Sequence, residues 1–145
     1  MENTIYVKAK QFSAHLKDLR KKRERRKQEC STPTRQRLTA RNREAILQKT
    51  GSRCHICGGM VGDKWHADHV LAHSAGGQSK IDNYLPSHPL CNNYRWNYLA
   101  EEFQLILKIG VLARAEIEHG TSLGEQIATK FITHELKRES RRRKT

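Results

Sequence analysis

The sequence is short of what builds a large core. Only 36% of its 145 residues are hydrophobic and 6% aromatic, with two tryptophans and two methionines. A chain of this length and composition makes one compact domain with solvated appendages, not two full domains. It has no run of 18 apolar residues, so nothing in it is expected to span a bilayer. Residues 1–15 lack the apolar stretch that a secretion signal requires. The spacing of the four cysteines therefore reads as metal ligation, in a reducing, cytoplasmic compartment, rather than as a disulfide framework. Acidic residues are also few, 15 against 28 Lys+Arg, which leaves a net charge of +13.

That charge is unevenly placed. Residues 1–45 carry a net of +9, residues 46–130 a net of 0, and residues 131–145 a net of +4. A neutral middle between basic ends suits a polyanion, because each cationic side chain that reaches a phosphate releases a counterion. Nucleic acid is the expected partner. A membrane surface is the weaker candidate, since the basic stretch 17–27 has no Trp or Phe to insert.

Residues 8–29 read as one helix, with Phe12, Leu16 and Leu19 at helical spacing and then almost unbroken charge. Its basic residues Lys21, Lys22, Arg23, Arg25 and Arg26 are candidate phosphate contacts, as are Arg141, Arg142 and Arg143 at the other end. Residues 31–34 form a linker, and Thr39 is placed to cap a short helix over 40–50, with Ile46 and Leu47 inward and Gly51 beyond its end. From Cys91 to Gly120 a long amphipathic stripe returns, through Tyr94, Tyr98, Phe103, Ile106, Ile109, Leu112 and Ile117. Ser122 to Glu125 reads as a capping box opening a last helix, with Ile127, Phe131 and Ile132 inward. These last two helices are expected to supply apolar core, or else a homodimer face.

The middle of the chain carries the chemistry. Cys54-His-Ile-Cys57 followed by two glycines is a turn that brings two sulfurs to one ion. His88-Pro-Leu-Cys91 is the best matching second half, giving a Cys3His structural zinc site, with His55, His66 and His73 as rival fourth ligands. Between the halves lies Trp65-His-Ala-Asp68-His69. On a strand, alternation puts His66 and Asp68 on one face and His69 on the other. A carboxylate there can hold a hard divalent cation while the neighbouring imidazole activates water. Trp65 and Trp96 read as packing residues, and Cys30 as a free thiol.

Gly76-Gly77, Ile81-Asp82-Asn83 and Cys91-Asn92-Asn93 complete an ordered series, and from Cys54 to Arg95 the chain resembles the HNH endonucleases of the ββα-metal fold. The family's second CxxC stands here as HxxC, with His88 in the first position. The resemblance implies an α+β fold: a ββα-metal motif with a structural zinc, flanked by N- and C-terminal helices. It divides the chain into a basic helical arm and linker (1–38), a nuclease domain with the zinc site (39–98) and C-terminal helices with a basic tail (99–145).

By the same resemblance His69 is the general base, and an ordinary imidazole pKa of about 6.5 suits that work. Asn83 orients the loop and the histidine. Asp68 and Asn92 hold a catalytic Mg2+ or Mn2+. His73 and Arg95 are candidate phosphate contacts, Arg95 as a bidentate donor. The expected activity is metal-dependent hydrolysis of DNA with low intrinsic sequence specificity, as in small bacterial and phage nucleases, with or without a targeting partner protein. The alternatives are an RNase on the same scaffold and a non-catalytic, zinc-stabilised nucleic-acid-binding module.

Overall fold

The computed structural model describes residues 8–31 and 37–142. Arg143 and part of the 31–34 linker lie outside the described residues. The chain divides into two compact units, the first ending at Ala100 and the second beginning at Glu101.

The first unit opens with α1, Ala9–Glu29. Phe12 and Leu16 are half-buried and Leu19 is fully buried, while most side chains after Arg20 are exposed. Helix α1 packs on a short 3-10 turn at His73–Ala75. Helix α2, Ala40–Gln48, begins where Thr39 accepts a hydrogen bond from the Asn42 amide at 3.2 Å. Its Ile46 is fully buried and the helix packs on strand β2, Tyr84–Ser87. Lys49 Nζ, just past the helix, donates to the carbonyls of Ile81 and Tyr84 and ties α2 to the start of that strand.

Strand β1, His66–His69, pairs antiparallel with β2 in the register His66 to Ser87, Ala67 to Pro86, Asp68 to Leu85 and His69 to Tyr84. Pro86, which has no N–H, is tolerated because a two-stranded sheet leaves every strand an edge. Helix α3, Pro89–Arg95, follows β2 and lies against β1. This is the ββα unit that the resemblance implied.

Among the described residues of this unit the buried hydrophobic ones are few: Leu19, Ile46, Cys54 and Tyr84. One of them is itself a candidate metal ligand. So small a core is of the kind that a metal ion commonly reinforces.

The expected helix from Cys91 to Gly120 is interrupted. Trp96 sits at φ +47, the Trp96 amide closes on Asn92 O at 2.9 Å, and the next helix, α4, runs only over Ala100–Glu118. Trp96 is strained there, since a bulky residue rarely adopts positive φ. No Gly or Pro marks the break, which is why the apolar periodicity ran through it. Helix α5 spans Ser122–Arg142. Its cap is Thr121, one residue before the expected Ser122: Thr121 Oγ1 accepts from the Gly124 amide at 3.0 Å.

The second unit also departs from expectation in its burial. Phe131 and Ile132, expected inward, are exposed, as are Ile106, Ile109, Leu112 and Ile117. Helices α4 and α5 approach closely at their turn, where a Cβ on Gly124 would meet Glu116 O at 2.1 Å. Among their described residues only Glu102 and Gly124 are buried. These helices therefore do not form the expected apolar core.

Candidate active site

The Cys/His cluster is built on two turns. Arg53 bridges to Met60, the Cys54 amide donates to Gly59 O at 2.8 Å and the Gly58 amide returns to Cys54 O at 2.8 Å. Gly58 takes φ +75, the left-handed turn that wraps a CxxC around an ion. The second pair comes from the start of α3. The ligand atoms of Cys54, Cys57, His88 and Cys91 all lie within 4.8 Å of one another. A tetrahedral zinc with Zn–S of about 2.3 Å needs its ligands roughly 3.5–3.8 Å apart, so the cluster fits that ion with small adjustments. His88 Nε2 donates to Met60 O at 2.9 Å. That leaves the lone pair on Nδ1, which faces Cys57 Sγ at 3.3 Å and Cys91 Sγ at 3.8 Å.

The thiols themselves ask for a cation. Burial raises the Cys54 pKa, but hydrogen bonds from the backbone of Cys57, His88 and Ile56 outweigh it and bring it down to about 6. Cys91 is pushed up to about 12, by burial first and then by the neighbouring sulfurs of Cys57 and Cys54. The Met60 carbonyl and the sulfurs raise the His88 pKa. Three sulfurs this close cannot all ionise alone, and a divalent ion removes the conflict.

Strand β1 then divides its side chains as alternation requires. His66 and Asp68 face α3. Asp68 is 7% exposed, and its Oδ2 accepts from His55 Nε2 at 2.8 Å. Arg95 Nη1 donates to both carboxylate oxygens, at 3.1 and 3.3 Å, and to His69 O at 3.0 Å. Arg95 Nη2 reaches Val70 O. So Arg95, expected on phosphate, is engaged within the protein by Asp68 and two carbonyls. Asn92 Nδ2 donates to His66 Nδ1 at 3.0 Å, which leaves the Asn92 amide oxygen as an acceptor. The three rivals for the zinc, His55, His66 and His73, all lie outside the four-ligand cluster.

His69 is on the other face. Its ring lies 4.3 Å from that of Tyr84 and 5.4 Å from that of His73. Asn83 fixes the loop that follows β1. Its Oδ1 accepts from the Leu71 amide at 2.9 Å, and its Nδ2 donates to Leu71 O at 3.1 Å and Gln78 O at 3.0 Å. The Gly76-Gly77 turn closes this loop: Gly76 has φ +88, and a Cβ on Gly77 would lie 1.8 Å from Leu71 O.

Asp68, His69, His73, Asn92 and Arg95 line one cleft of about 1070 Å3. Lys27 from α1, Arg37 before α2 and Arg43 from α2 line it too, with Trp65 and Trp96. Arg43 stacks 4.1 Å above Trp65 and donates to its carbonyl at 3.2 Å. Arg23 lies 4.6 Å from Trp96, which is 55% exposed. Trp96 is thus a cleft residue rather than a packing one. Lys21, Lys22, Arg25 and Arg26 are exposed along α1, and Arg141 and Arg142 are exposed near the end of α5.

Residues 54–96 match the family model of the HNH endonucleases. The match spans under a third of the chain and covers the Cys/His cluster, β1, β2 and α3. No curated protein and no solved structure matches the chain. The HNH domain thus supplies a nucleic-acid-related fold with a Cys/His metal cluster, and no helix among the described residues is long and apolar enough to cross a membrane. Sequence reasoning missed His55 as the partner of Asp68, and Lys27, Arg37 and Arg43 as cleft residues; it put His66 on the face of Asp68 without its bond to Asn92. Nothing in a one-dimensional pattern marks which way the His inside a CxxC turn will point.

Proposed function

We propose that this chain is a metal-dependent HNH endonuclease that hydrolyses DNA phosphodiester bonds with low intrinsic sequence specificity. The observation that carries this reading is the gathering of Asp68, His69, Asn92 and Arg95 around one cleft whose other walls bring Lys27, Arg37 and Arg43. His69, whose ring packs against that of Tyr84, takes a proton from the attacking water. Asn83 keeps the following loop in place through three hydrogen bonds to its backbone. His55 and His66 aim the Asp68 carboxylate and the Asn92 amide oxygen. That pair of oxygens is suited to Mg2+ or Mn2+, a hard ion that, when bound, neutralises charge on the reacting phosphate. Arg95 competes for the same carboxylate oxygens, so cation binding is matched by its turning to phosphate. Zinc in the Cys54, Cys57, His88 and Cys91 frame has a structural role, since four protein ligands leave it no open position. The basic residues of α1 and of the C-terminal end bind phosphates of the backbone without reading bases.

The Asp68–Arg95 ion pair also favours a second reading, a non-catalytic zinc-stabilised nucleic-acid-binding module, in which Arg95 takes the place of the cation for good. Plasmid nicking decides between them. Zinc-loaded protein should nick DNA with Mg2+ or Mn2+, not with EDTA, and His69→Ala should abolish it. Binding without cleavage under any divalent ion would favour the module. A parallel assay on RNA separates the two substrates, because a ββα site contacts the phosphate and carries no evident 2′-hydroxyl reader.

A further inference from the structure

We propose that helices α4 and α5 form a dimer interface whose partner is a second copy of this chain. Helix α4 is apolar on opposite sides: Leu107 and Val111 stand on one, Ile109 and Leu112 on the other, and all four are exposed. A helix that is apolar all round is one that is covered. Helix α5 exposes Phe131 and Ile132 at 60% and 56%. The two helices cover little of each other beyond their turn, where Gly124 abuts Glu116.

The exposed area has the size of an interface. Ten large apolar side chains of these helices are between 39% and 72% exposed. At roughly 100 Å2 each they present on the order of 1,000 Å2, against the ~800 Å2 per partner of a stable protein interface.

Charge selects the partner. Residues 101–118 on α4 carry four acids and two bases, a net of −2, and residues 122–142 on α5 carry three acids and five bases, a net of +2. The pair is neutral in sum and opposite in sign between its helices, so it is complementary to itself. A two-fold axis sets α4 of one chain against α5 of the other twice over, and buries both apolar sides of α4. An unrelated protein would have to reproduce both signs.

The inference does not use the nuclease site, so an inactive protein can still pair. Sedimentation equilibrium of the zinc-loaded full chain tests it. The expected mass is twice the 16.8 kDa of one chain. Leu112→Ser with Phe131→Ser changes side chains exposed in the single chain. This variant should fall to the mass of one chain with its zinc content unchanged. Lys130→Glu with Lys137→Glu gives both helices net negative charge and should raise the dissociation constant at least tenfold. A wild-type mass of one chain, a serine variant still at twice the mass, or a second species of different mass in the purified protein would each overturn the proposal.

Discussion

His55 should govern how tightly the catalytic cation binds, although it touches neither the cation nor the zinc. Its Nε2 holds Asp68 Oδ2 at 2.8 Å, and both side chains are largely buried, at 14% and 8% exposure. A hydrogen bond to a charged group in such a place contributes about 1.5–3 kcal/mol. Losing an orienting partner of a metal ligand typically costs about 10–100-fold in metal affinity, or about 1.4–2.7 kcal/mol. The two figures agree. His55→Ala should therefore raise the Mn2+ concentration for half-maximal nicking by about 10–100-fold, as Asp68 relaxes towards Arg95. His55→Gln, which keeps a donor, should recover much of the loss. Zinc content, read by atomic emission, should stay at the wild-type level in both. A Mn2+ dependence unchanged in His55→Ala would refute the reasoning, and so would zinc lost from it, because His55 would then be a ligand.

Gly77→Ala should unfold the loop, because its Cβ would lie 1.8 Å from the Leu71 carbonyl, a backbone atom that cannot yield. The cost should exceed the ~1–3 kcal/mol of ordinary overpacking, and urea unfolding of the zinc-loaded protein measures it. Cys57→Ala should lose both the ion and the hairpin, read by zinc content and circular dichroism; retention of both would remove Cys57 from the ligand set. Zinc should bind more tightly at pH 8 than at pH 6: with its pKa pushed up to about 12, the Cys91 thiol of the zinc-free chain must release its proton to ligate. A competition titration against a chelator that showed no pH dependence would count against thiolate ligation. Replacing Lys21, Lys22, Arg25 and Arg26 by Gln should weaken DNA binding and flatten its salt dependence, by about 0.9 in the log–log slope for each phosphate contact removed. Fluorescence anisotropy across salt concentrations reads this. Deleting residues 1–30 is the wrong perturbation, since Leu19 of α1 is part of the buried core.

The Cys/His cluster and the HNH order were legible because they rest on local spacing. CxxC and HxxC each fix two ligands within one turn, and a strand separates Asp68 from His69 by alternation alone. The short helix over 40–48, with its Thr39 cap and inward Ile46, followed from the same kind of local rule. What did not show was anything set by long-range approach. His55 and His66 meet Asp68 and Asn92 across 13 and 26 residues of chain. Arg95 reached Asp68 rather than solvent because α3 lies on β1. The break at Trp96 and the exposed faces of α4 and α5 defeated a reading by periodicity, which reports that a face is apolar but not what covers it.

The net charge of +13, its placement at the two ends, and the ligand types are written into the sequence and owe nothing to folding. They are enough to imply a polyanion partner and a metal-organised middle. The tertiary structure decided which basic residues face the cleft: Lys27, Arg37 and Arg43 line it, whereas much of α1 points to solvent. It also decided that Asp68 is held by His55 and Arg95 together. Charge and composition are properties of single residues, while a site is a set of distances between residues far apart in the chain, and only the packing of β1, α2 and α3 fixes those.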